Sequence, residues 1–75
     1  MQGDYGPSLE DIARTLKLED RHFGALSGLG IILDRLGDKE GALEAYRRAV
    51  EIHPNLPGAR DGIRKLSREV EGERL

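Results

Sequence analysis

Few residues in this chain are able to do chemistry, and their spacing decides what they can do. His22 and His53 are its two histidines, and it has no cysteine. A zinc site needs three or four nitrogen, sulfur or oxygen ligands converging on one point. Neither an H-E-x-x-H pair nor a cysteine accompanies these histidines, so no metal site is expected. Ser8, Ser27 and Ser67 are the serines. None lies in G-x-S-x-G or at helical spacing from a histidine, so none has a base to activate it. The stretch GLGIIL, Gly28–Leu33, supplies two glycines of a dinucleotide fingerprint, but Leu33 stands at the third position and no strand precedes it. That fingerprint works by aiming backbone N–H groups from a turn at a pyrophosphate, which glycines inside a helix cannot do.

The charged residues are equally plain. Glu10-Asp11, Glu19-Asp20 and the Glu69, Glu71, Glu73 series carry carboxylates, yet basic residues flank most of them, as on solvated helix faces. Arg60, Arg64, Lys65 and Arg68 form a basic face, the best hint of nucleic acid. Acidic groups follow at once and no aromatic is interleaved, which favours a solvated surface over a binding stripe. No catalytic residue and no cofactor site follows, and the chain reads as non-enzymatic.

The whole chain agrees. It has 75 residues, with 12 basic against 14 acidic and a formal charge of −2, so nothing drives it toward nucleic acid or an anionic membrane. The longest apolar run, Ile31–Leu33, is far too short to span a bilayer. The opening MQGDYGPSLED has neither a basic n-region nor an apolar h-region, so no signal peptide is visible and a soluble protein is expected.

Helical periodicity positions these residues. Leu9, Ile12 and Leu16 form one stripe; Leu26, Leu29, Leu33 and Leu36 a second; Ala42, Leu43, Tyr46, Ala49 and Val50 a third; Ala59, Ile63, Leu66 and Val70 a fourth. Steps of three and four place each stripe on one helix face. No segment alternates with period two. The reading is all-α, with helices over 5–18, 22–36, 39–53 and 56–70. Gly37 suits a left-handed helix cap and Asp38 an N-cap. Pro54 ends the third helix, with Asn55 expected to cap the fourth and Pro57 to sit in its first turn. Short connections make neighbours antiparallel.

The chain also repeats itself. A shift of 34 residues lays Gly3-Asp4 on Gly37-Asp38, Leu9-Glu10 on Leu43-Glu44, Arg14 on Arg48, Gly24-Ala25 on Gly58-Ala59 and Gly28 on Gly62. Helix one maps on helix three and helix two on helix four, which is a helix-pair repeat.

This pattern resembles the tetratricopeptide repeat. With Phe23 opening the unit and Leu56 closing it, Leu26, Leu29, Gly30 and Leu33 match the first-helix signature. Gly37 matches the inter-helix turn, Ala42, Tyr46 and Ala49 the second helix, and Pro54 the closing proline. The resemblance implies antiparallel helix pairs in a right-handed superhelical stack, with Gly30 and Ala42 at the crossing and Gly24 and Gly28 nearer the inner, concave face. It implies one domain over 1–75: a half repeat at 1–21, a full repeat at 22–55, and a capping helix with tail at 56–75. Asp20 replaces the proline that would close the preceding unit, where it can stop one helix and cap the next. Arg60, Arg64 and Ser67 replace Leu26, Gly30 and Leu33, as in a polar terminal helix.

The resemblance also implies a function: holding a protein or peptide on the concave face, which here would include Ser27, Ile31, Asp34, Asp61, Lys65 and Arg68. The family's carboxylate clamp is absent, because Ser27, Gly28, Ile31, Gly58 and Gly62 hold its positions. An RNA-binding helical repeat is the alternative. The first helix would lack its partner, so the chain reads as a fragment of a longer array or as one that completes itself. A weak homodimer through Tyr5, Leu9 and Ile12 is therefore expected, about a twofold axis.

Overall fold

The computed structural model describes residues 6–74. Four helices follow one another, α1 (Gly6–Leu18), α2 (Phe23–Arg35), α3 (Lys39–Ile52) and α4 (Ala59–Arg74), and no strand occurs among the described residues. Each packs on the next, α2 with α3 most extensively, then α3 with α4, and α1 with α2 least. This is the all-α series of helix pairs that the periodicity implies.

Local chemistry sets the breaks. Gly37 has φ +90°, a left-handed conformation that glycine adopts without a Cβ clash. The Asp38 N–H donates to Leu33 O at 2.9 Å and the Gly37 N–H to Asp34 O at 3.1 Å, which satisfies two carbonyls of the last turn of α2. Asp38 then caps α3, its Oδ1 accepting from the Gly41 N–H at 3.0 Å.

Two expected caps are corrected. The N-cap of α2 is His22, not Asp20: its Nδ1 accepts from the Ala25 N–H. Nor does Asn55 cap α4 with Pro57 in its first turn. The turn runs on to Gly58, whose φ of +80° is not helical, and α4 starts at Ala59. The Gly58 carbonyl accepts the first helical bond, from the Gly62 N–H at 2.9 Å. The fourth helix also continues past residue 70, to Arg74.

The core lies between α2, α3 and α4. Leu26, Ala42 and Ala49 are 0% exposed, and Ala59 and Leu66 1%. Ala42, Leu43, Tyr46, Ala59 and Leu66 form one cluster, with Leu33, Val50, Leu56 and Ile63 packed at its edge. Tyr46 is its large member. A Cβ added at Gly30 would stand 3.1 Å from three carbons of the Tyr46 ring, and one added at Gly62 would stand 3.2 Å from the same ring. The ring therefore joins α3 to both neighbours. Of the two residues expected at the crossing, Gly30 lies against the ring of Tyr46 and Ala42 is fully buried in the same cluster.

The repeat reproduces half of this arrangement. Ile12 precedes Tyr46 by 34 residues, and Gly28 precedes Gly62 by 34. A Cβ at Gly28 would meet Ile12 Cδ1 at 3.5 Å. Gly28 thus faces α1, not an open inner face.

Three substitutions test this packing by urea denaturation. Ala42→Leu adds bulk where no surface is exposed and should cost about 1–3 kcal/mol. Gly72→Ala, with open space around the new Cβ, should gain about 0.5–1 kcal/mol from helix propensity, whereas Gly30→Ala should forfeit that gain against the Tyr46 ring.

Candidate binding surface

Residues Asp61, Lys65 and Arg68 sit along α4 at intervals of four and three, so a single helix face presents them. They line one depression together with Arg64 and Glu69. Arg64 Nη1 lies 3.9 Å from Asp61 Oδ1, and both side chains are largely exposed, so this pair holds little energy. Glu69 behaves differently. Its Oε2 accepts from Lys39 Nζ at the start of α3, both side chains being half-buried. The Lys39 hydrogen bond holds the Glu69 carboxyl below its usual value, helped by the charges of Lys39 and Lys65 and opposed by partial desolvation. This pair draws the carboxylate toward α3 and leaves the depression weighted toward Arg64, Lys65 and Arg68.

Ser27, Ile31 and Asp34 lie on α2 at intervals of four and three, again one face. Ser27 and Asp34 are half-buried, and Ile31 is 46% exposed, an aliphatic side chain left in the open. None of the three lines the α4 depression. Tyr46 links the two sets. Burial, and secondly the charge of Asp34, raises the Tyr46 phenol above its ordinary value. The same ring lies against Gly62, next to Asp61. Residue spacing could not find this link, because Tyr46 reads simply as core. Nor could it find the Lys39–Glu69 pair, whose members are 30 residues apart.

Of the residues expected to self-associate, Tyr5 lies outside the described residues. Leu9 and Ile12 are half-buried, while their repeat counterparts Leu43 and Tyr46 are buried. Ser8 beside them is exposed, and the Thr15 hydroxyl donates to its own helix, to Asp11 O at 2.9 Å. Among the described residues no group of three or more His, Asp or Glu side chains could hold a metal, and no helix is long and apolar enough to cross a membrane.

Residues 24–56 match the family model of the tetratricopeptide repeat. The chain is 36% identical over 74 residues to a TPR repeat-containing protein of Rhizobium etli, an overlap of 99% of this chain and 36% of that protein. It is 35% identical over 88 residues to a photosystem I assembly protein of Rippkaea orientalis, covering 97% of this chain and 50% of the relative. A photosystem I assembly protein of a Synechococcus strain is 40% identical over 58 residues, 73% of this chain and 34% of its own length. The chain thus spans between a third and a half of these relatives. No solved structure matches it.

The Lys39–Glu69 pair predicts a pH dependence. A carboxyl lowered in the folded state adds stability above its unfolded value, and that contribution is lost as pH falls through the folded one. Acidification from pH 5 to 3 should therefore destabilise the wild type more steeply than Glu69→Gln, read as the shift of the urea midpoint with pH.

Proposed function

From the tetratricopeptide repeat to whose family residues 24–56 belong, we infer that this chain is a non-enzymatic scaffold holding a protein or peptide partner. The exposed Ile31 carries the finer reading, that the partner lies on the concave face made by α2 and α4. An apolar side chain in the open is ordinary when it stands alone; Ile31 shares one helix face with Ser27 and Asp34, which makes it the apolar centre of the proposed contact. Ile31 would supply apolar area, Ser27 and Asp34 hydrogen bonds, and Lys65 and Arg68 charge. Such contacts give specificity and encounter rate more than affinity, so the aliphatic contact anchors the partner. The name of the two cyanobacterial relatives, as assembly proteins, fits a scaffold role.

A second reading concerns self-association. Leu9 and Ile12 keep part of their surface open where their repeat counterparts are buried, and a second copy meeting them about a twofold axis would cover it. A weak homodimer is the expected outcome of sedimentation equilibrium, reverting to monomer in Ile12→Asp. A monomer at high micromolar concentration, unchanged by Ile12→Asp, removes this reading.

The scaffold reading is tested by affinity capture on the immobilised chain, with and without nuclease. Protein partners should survive nuclease, and Ile31→Asp should weaken their retention at least about tenfold, the loss of one anchoring contact. Lys65→Glu with Arg68→Glu should lower the association rate and its salt dependence. Loss of every partner on nuclease treatment, with direct RNA binding that weakens steeply with salt, would instead favour the RNA-binding alternative.

A further inference from the structure

The connection between α1 and α2 gathers both histidines around one aromatic ring. His22 precedes α2 as its N-cap with extended φ −79° and ψ 97°, and its Nδ1 accepts from the Ala25 N–H at 3.0 Å. Its carbonyl accepts the first helical bond, from the Leu26 N–H at 3.1 Å. The imidazole folds over Gly24, where a Cβ would stand 3.1 Å from Cε1 and 3.4 Å from Nδ1. The Phe23 ring lies 6.5 Å from that of His22 and meets His53, at the end of α3, edge-on at 4.7 Å.

Imidazole accepts at Nδ1 only while that nitrogen is unprotonated. A proton there sets one donor against another, His22 against the Ala25 N–H. It also places a cation at the N-terminus of α2, where the helix dipole is already positive. Asparagine or serine would cap without this sensitivity.

We propose that His22 is a pH-operated fastener of α2, holding its first turn when neutral and releasing it, with Phe23, on acidification. The inference stands apart from the partner-binding reading. The charged groups around the ring are Glu19 and Arg21, which line the same depression as Ile52 of α3. Asp20 is exposed in the same connection, and His53 stands across Phe23. Glu19 and Arg21 oppose one another in sign, and a proton on His53 adds charge on the far side of Phe23. The cap stands while Nδ1 is free to accept and is lost once a proton occupies that nitrogen.

Nuclear magnetic resonance on the whole chain decides the matter. Imidazole nitrogen shifts at pH 8 should place the His22 proton on Nε2. The hydrogen-exchange protection of the Ala25 amide, corrected for intrinsic rates, should fall about two- to thirtyfold between pH 8 and 5.5, the span of one lost N-cap. His22→Asn should keep that protection at both pH values, and His53→Gln should show the wild-type loss. A proton on Nδ1 at pH 8, protection unchanged at pH 5.5, or an equal loss in His22→Asn overturns the proposal. The two wild-type measurements decide it even if a variant does not fold.

Discussion

Three of the four helices are organised by one aromatic ring between two glycines. Tyr46 is the large residue of the central cluster, and both helices that flank α3 give up a side chain to receive it, at Gly30 and at Gly62. A mid-helix glycine costs about 1 kcal/mol relative to alanine, so two such positions are a standing cost. It is offset by close backbone approach and by the large area a buried aromatic removes from water. The consequence extends to electrostatics. Burial keeps the Tyr46 phenol protonated beyond its ordinary range, and Asp34 adds to that. A smaller residue at 46 would leave both glycines facing a void, and a larger one at 30 or 62 would push the ring out.

The turn at Gly37-Asp38 was legible in the sequence because each residue there answers a purely local requirement. Glycine meets the positive φ, and aspartate supplies the oxygen that caps the next helix. The other caps were misread where a local preference met a tertiary fact. Asp20 is the better N-cap by type, but Gly24 leaves space for the His22 ring, and the ring takes the cap. Asn55 is likewise a good cap by type. Gly58, laid by the 34-residue offset on the helical Gly24, adopts φ +80° and keeps the turn open until Ala59. The repeat predicts which residues share a role, not that each copy keeps the same backbone angle.

The candidate surface was legible in part for the same reason. Helical spacing alone puts Asp61, Lys65 and Arg68 on one face, and all three line one depression. It could not show that Glu69 turns to Lys39, because that pair depends on how α4 crosses the start of α3. It could not show that Ile31 stays open while Ile32 beside it is buried, except through the register of α2 against its neighbours. Surface residues answer to a partner, whereas core residues answer to one another, so the second kind is easier to read from one chain.

The attachments of the two outer helices differ in kind. α4 is held by the Tyr46 ring against Gly62, by Leu66 and Val70 in the core, and by the Lys39–Glu69 pair. α1 has no buried residue, and its described contact with a glycine of α2 is made by the smaller Ile12. In repeat architectures each unit is stabilised by its neighbours, so the stability of a helix follows the quality of its single interface. α1 packs least on its neighbour and has no buried residue, which places it at the low end of local stability. The connection that leads from it into α2 ends in a histidine cap and the edge-on meeting of Phe23 with His53. The part of the molecule with the least packing is therefore also the part whose hydrogen bonding answers to protons. Packing in the core is insensitive to pH near neutrality. The junction through which α1 joins the rest of the fold rests instead on one imidazole nitrogen, that of the His22 cap.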